Sequence, residues 1–345
     1  MKLKTNVIKI SAVFILLVLV MLFSCKKEDE SKSFKVGLVS GTGGFTDRGF
    51  NQLALNGLTR AQNELDIVTE SRECFDTVQI REGIEYFASH DFDLIISLGY
   101  TSTETMTRLA AENPDKKFAL IDDQAADPPS NLHSFLFRVD QSSFLCGVLG
   151  AFWADLKDPV YPMVGWVAGP QIEEIEHFRM GFVAGIDYFN NYYGRDVENI
   201  GNYTSSFTDT LEGANLAGNL FDTGAEIIFP FAGKTGNGAL YKAKELGKWA
   251  VGVDLDQYES IPEVSDILIS SCLKKLDNTV YELIKSCSSG DWGAEQIHYG
   301  TLKAGDVDIA PFHDYETQIP DSIKSLLDWV KTEIKAGNIQ TGWNP

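Results

Sequence analysis

From residue 34 onward the chain alternates short β-branched and aromatic runs with longer stretches of apolar residues at helical spacing. The runs 35–40, 67–71, 94–98, 118–122 and 135–139 read as buried strands, because parallel strands covered on both faces are continuously apolar. Between the first two, Phe50, Leu53, Ala54, Gly57, Leu58, Ala61 and Leu65 follow the i, i+3, i+4, i+7 rule of a helix with one face on a sheet. That helix is expected to begin near Asp47. After a helix over 141–154, a second series follows: strands at 163–168, 201–204, 227–231 and 251–254, with helices at 174–189, 208–222 and 238–248. The second series repeats the strand, glycine turn, helix order of the first, so two similar α/β lobes are expected. A strand at 267–271, a helix at 277–287 and an amphipathic helix at 322–336 follow, an order that suits a chain crossing between lobes more than once.

Open α/β sheets hold ligands beyond the carboxyl ends of their strands. Two facing lobes bring both sets of ends to one cleft. The polar residues after the strands are therefore the candidates: Thr46 and Asp47, Tyr100 and Thr101, Asp122 and Asp123, 233–237, 254–257 and Lys274. Asp47 equally suits a helix N-cap, and the phase of Phe50 suits the core.

Residues 1–33 stand outside this pattern. Lys2, Lys4 and Lys9 precede an apolar stretch, 10–22, that is short for a membrane span and right for a signal peptide. It ends Leu22-Phe23-Ser24-Cys25, which resembles the bacterial lipoprotein box. The resemblance implies removal of residues 1–24 and acylation, palmitate included, of Cys25, with 25–33 as a flexible tether. The body is then expected in the cell envelope, outside the cytoplasm and anchored to a membrane by lipid.

The chain has 345 residues and a net charge of −20. Loss of the signal lysines makes the mature chain more acidic still. Nucleic acid would be repelled, and no Lys/Arg stripe offsets this. The length suits two domains. Cys74, Cys146, Cys272 and Cys287 show no C-x-x-C or regular spacing and read as buried apolar residues.

Several chemistries are excluded by spacing. In SGTGGFTDRGFNQLALNGL (40–58) the third glycine of a dinucleotide fingerprint would fall at Thr46, and Asp47 would face the phosphates. In AGKTGNG a P-loop would need glycine at 228, which is Ile228. The five histidines are scattered, with no metal spacing, and there is no G-x-S-x-G elbow. No cofactor, metal or catalytic residue is expected.

The blocks GGFTDRGFNQLALNGL, FALIDD, FRVDQSSFLCGVLGA, VGWVAG with HFRMGFVAGI, IIFPFAGKTGNG, VGVDLDQ and SSCLKKLDNTVYELI resemble, in order from Phe34 to Leu283, the basic membrane protein family of lipoprotein receptors. The resemblance implies a type I periplasmic-binding-protein fold: two Rossmann-like lobes with parallel sheets, joined by three crossover segments. It implies no catalysis, but a monomer that delivers a nucleoside, a purine nucleoside above all, to an ABC permease and its ATPase. Carried over by position, Gly233, Asp254 and Lys274 would hold the ribose. Asp122 and the pair Thr46-Asp47 would hold the base, with Phe178 stacking on it. The chain departs from the pattern at Thr46, at Gly49 and at Leu55, where an aromatic is expected; an aliphatic there would leave the base stacked on one side only. The division expected is 34–139 with 256–290 in one lobe and 140–255 with 291–345 in the other. A nucleoside hydrolase or phosphorylase is the rival reading among enzymes, and a sensory module for another polar solute the third.

Overall fold

The structure, a computed structural model, describes residues 33–343; the signal peptide, Cys25 and the tether lie outside the described residues. The first lobe is built from β1 (Phe34–Val39), α1 (Phe50–Glu64), β2 (Ile67–Arg72), α2 (Thr77–Ser89), β3 (Leu94–Leu98), α3 (Thr103–Glu112), β4 (Lys117–Ile121) and β5 (Leu132–Phe137). The second follows with α4 (Val139–Lys157), β6 (Met163–Ala168), α5 (Glu173–Tyr193), β7 (Glu198–Tyr203), α6 (Thr210–Thr223), β8 (Ile227–Phe231), α7 (Gly233–Glu245), β9 (Trp249–Asp254) and β10 (Leu268–Lys274). The chain then returns through α8 (Leu276–Ser288) and β11 (Ile297–Gly300) before β12 (Val307–Ile309) and α9 (Asp321–Ala336).

The two sheets have matching orders, β11-β5-β4-β3-β1-β2 and β12-β10-β9-β8-β6-β7. All pairings in the first are parallel, and in the second only β12 runs antiparallel, against β10. Parallel strands need crossovers, and the helices that supply them cover both sheet faces. Accordingly β3 and β8 are buried at every residue. This is the two-lobed α/β fold expected from the alternation.

Three crossovers join the lobes, after β5, after β10 and after β11. They lie together: Arg138 N donates to Gly300 O at 2.8 Å and Lys275 N to Asp306 O at 2.7 Å. The hinge is thus on the β5/β10 side, leaving β2 and β7 farthest from it. Two boundaries of the expected division move. Residues 268–274 belong to the second sheet, between β9 and β12, and residues 297–300 to the first, beside β5. The strand at 268–274 was expected as a strand, whereas the one at 297–300 was not; its partner β5 lies more than 150 residues earlier, and local pattern carries no record of which sheet accepts either.

Close packing of α4 on α5 sets the position of the second lobe's aromatic wall. A Cβ at Gly147 would lie 2.1 Å from Phe182 O, and one at Gly185 would lie 2.0 Å from Phe144 O, so only glycine permits this approach.

Candidate functional site

One cavity of about 120 Å³ lies between the carboxyl ends of the two sheets, walled by the loops after β1, β3 and β4 and by those after β6, β7, β8, β9 and β10. A single buried water needs roughly 10–15 Å³ on this scale, so the space suits a small organic molecule. Asp47, Asp122, Phe178, Gly233, Asp254 and Lys274 all border it. Thr46 does not: its side chain is exposed and outside the wall.

The charged centre is built symmetrically. Asp122 follows β4 and Asp254 ends β9, the fourth strands counted from the open side of each sheet. Both adopt the left-handed region, with φ of 63° and 67°. Such a conformation costs an L-residue about 1–2 kcal/mol, less for Asp than for most, and turns the chain sharply at the strand end. Lys274, at the end of β10, reaches between them. Its ammonium lies 2.6 Å from Asp122 Oδ2 and within 5.5 Å of the ring centres of Phe50, Phe137 and Phe178. Burial works against its charge, but Asp122, Asp254 and Glu174 outweigh it and hold the pKa above its usual value.

Asp254 is 8% exposed, and among the described residues no hydrogen bond reaches its carboxylate. Burial pushes this carboxyl up to about 6; Lys274 pulls it down, while Asp122 and Asp47 push it further up. It is a buried acceptor in want of donors.

Asp47 is different. Its Oδ1 accepts from Gly49 N (3.1 Å) and Gln52 N (3.0 Å), and its Oδ2 from Asn51 N (2.9 Å) and Asn51 Nδ2 (2.8 Å). Four protein donors occupy the carboxylate, which therefore closes the α1 N-terminus. Asn51 in turn accepts from Gly41 N at 2.6 Å and holds the glycine loop against the cavity.

The aromatic wall comes from the second lobe. Phe178, 4% exposed, stacks on Phe231 with centroids 5.7 Å apart and planes 19° apart, and Phe207 adds a third ring beside them. From the first lobe Phe50 packs against the core, as its helical phase predicts, and also faces them across the cavity. Leu55 lies outside the cavity. Positions 50 and 55 are about 140° apart on a helix at 3.6 residues per turn, so one face cannot present both. The departure at Leu55 consequently leaves the cavity unchanged. Gly233 takes a φ of 57° at the start of α7, and Lys234, within the candidate stretch 233–237, borders the cavity. Tyr100 and Thr101 border it as expected.

Sequence reasoning missed Phe50, Asn51, Phe207 and Glu174. Glu174 sits in the first turn of α5, after β6, where the rule of looking beyond strand ends would have found it. Burial first, then Asp122 and Asp123 of the other lobe, raise its carboxyl to about 8. Its proton is held more tightly in the folded protein than in the unfolded chain. The associated stability is full below about 4.5 and is lost as pH rises through about 8. Glu174→Gln is expected to raise the melting temperature at pH 9 and to lose that advantage as pH falls toward 4.5, a trend that calorimetry across pH checks.

Among the described residues no group of three His, Cys, Asp or Glu is placed to hold a metal, and no helix is long and apolar enough to cross a membrane. The four described cysteines are buried free thiols.

Two facing α/β lobes, three adjacent crossovers and one cavity at the strand ends define a solute-binding protein of the periplasmic type. The particular family follows from comparison: residues 34–340 match the family described as ABC transporter substrate-binding protein PnrA-like, and the chain belongs to it. It is 31% identical to an uncharacterised lipoprotein of Pyrococcus abyssi, over 80% of this chain and 69% of that one. It is 29% identical to basic membrane protein A1 of Borrelia garinii, over 92% of this chain and 93% of that one. Among solved structures, a solute-binding protein of an ABC transporter system from Aeropyrum pernix K1 superposes with a TM-score of 0.82 at 25% identity, covering 89% of this chain and 92% of that one. The family is one of transport receptors and not of enzymes, and membership implies a small-molecule ligand and an ABC transporter as partner.

Proposed function

We propose that this protein is a lipid-anchored receptor that closes on a nucleoside, a purine nucleoside in preference, and presents it as a monomer to an ABC permease and its ATPase. The observation that carries this reading is the polarity of the cavity from end to end. Asp254 offers an unoccupied carboxylate beside the Lys274–Asp122 pair, while Phe50, Phe178 and Phe207 offer ring faces. A carboxylate accepts from two neighbouring hydroxyls, each charge-assisted bond contributing about 1.5–3 kcal/mol, and an ammonium donates to a third oxygen. The aromatic side suits a flat base, with stacking of about 1–3 kcal/mol by analogy with single-strand binders. A sugar joined to a planar heterocycle satisfies both ends at once. Attachment through Cys25 and a cell-envelope location accord with relatives named as lipoproteins and membrane proteins.

Calorimetric titration with guanosine, adenosine, inosine, uridine, free bases and ribose tests this. Purine nucleosides are expected to bind at micromolar Kd or tighter, and ribose or a free base about a hundredfold more weakly, since each satisfies one end only. Binding of a different solute with no response to any nucleoside would refute the reading.

A further inference from the structure

At the turn of Asp47 and Arg48 the first lobe touches the second beside the cavity. Asn237, on α7, donates from Nδ2 to the backbone carbonyl of Asp47 at 2.9 Å. Its Oδ1 accepts from Gln257 Nε2 at 3.2 Å, and Gln257 Oε1 accepts from Val253 N at 2.9 Å. The backbone nitrogen of Gln257 donates to Ser271 Oγ at 3.1 Å. Chemistry fixes the direction of this relay. Val253 N–H can only donate and the Asp47 carbonyl can only accept, so each amide has one orientation that satisfies both neighbours. Asn237 and Gln257 are buried, at 9% and 2% exposure, yet Asn237 does not border the ligand cavity.

Arg48 completes the contact. It holds a φ of 56°, costly for a residue with a side chain. In that conformation its carbonyl meets Ser260 Oγ at 3.4 Å and its guanidinium meets both oxygens of Glu263, at 2.9 and 3.0 Å. All these partners belong to the second lobe. The Asp47 carboxylate, occupied in capping α1, keeps the turn rigid while its carbonyl is gripped.

We propose that Asn237 is the latch of the closed cleft: a positioning residue that never meets the ligand and sets how long the lobes stay together. Separating the lobes breaks the Asn237–Asp47 bond and exposes both groups to water, whereas bonds within each lobe survive. The latch therefore acts on release more than on capture. It rests on the cleft being the ligand site, but its geometry is independent of which ligand enters.

Asn237→Leu keeps most of the volume and removes both side-chain bonds; a native-like circular dichroism spectrum and a single cooperative melt without ligand verify the fold. With a purine nucleoside, stopped-flow measurement is expected to show dissociation about tenfold faster and association within about twofold of the parent, the scale of one buried hydrogen bond. Arg48→Ala, at a solvent-accessible ion pair, is expected to raise dissociation by about twofold. A second arm needs no ligand. Cysteines introduced by Asp123→Cys and Glu174→Cys face each other across the lobes, and their crosslinking rate under diamide reads the closed population. Adding Asn237→Leu should slow it about tenfold. An unchanged crosslinking rate overturns the latch whatever the nucleoside data show. Failure of the parent to bind any nucleoside overturns the ligand reading instead, and the crosslinking arm still decides the latch.

Discussion

Lys274→Met is expected to destabilise the protein by about 3–5 kcal/mol and to abolish nucleoside binding, with Kd weakened more than a hundredfold. The residue is 2% exposed and supplies the positive charge that lies between Asp122 and Asp254. Removing one partner from a buried ion pair leaves the other charge without compensation, which is where the large cost arises. A domain of this kind has about 5–15 kcal/mol of net stability, so the variant should fold but melt well below the parent. The same change removes a donor to the ligand, so a control separates the two effects. Adding Asp122→Asn to Lys274→Met should recover much of the lost stability, because the remaining charge imbalance is smaller, without recovering binding. Denaturant titration and calorimetry on both variants provide the check; a Lys274→Met protein that binds normally would remove the residue from the site.

Asp254→Asn is expected to weaken nucleoside binding by about tenfold to a hundredfold while making the ligand-free protein more stable at neutral and alkaline pH. The two halves of this expectation share one cause. Burial raises the Asp254 carboxyl from 3.8 to about 6, so the folded protein prefers it neutral. Its contribution to stability is complete below about 4 and is lost as pH rises through about 6; at pH 8 the buried charge costs on the order of 3 kcal/mol. Asparagine removes that cost and tolerates the left-handed backbone, whose φ is 67°. The gain in melting temperature should therefore be greatest near pH 8 and vanish near pH 4. Affinity falls because a neutral amide oxygen accepts hydroxyl hydrogen bonds less strongly than a carboxylate. A destabilised Asp254→Asn protein at pH 8 would contradict the account of a strained, ligand-seeking acceptor.

Within the site, legibility followed locality. Asp122 and Asp254 were readable because each ends a buried apolar run, and a polar residue there must face the opening between lobes. Lys274 was readable for the same reason, at the end of a strand in which five of the other six positions are buried. Thr46 shares the loop of Asp47 but turns to solvent, and the Asp47 carboxylate is consumed by four donors from its own loop and helix. The Asp47 outcome is the helix-capping alternative that its residue type and position allowed; the turn of Thr46 to solvent has no such signature. Phe50 packs against the core as its phase predicts, but as the first residue of α1 it also borders the cavity and approaches Lys274, which phase alone does not show.

By itself the sequence determined the alternation of strands and helices, the duplication into two lobes, the acidic body and the absence of nucleotide and metal motifs. These depend on period, composition and short spacing, all of which are local. Tertiary structure alone decided which sheet receives β10 and β11, which of the candidate acids retains an open acceptor, and which ring faces which across the cleft. Pairing of strands separated by more than a hundred residues, and the desolvation that lifts Asp254 and Glu174, arise only when distant segments exclude water together.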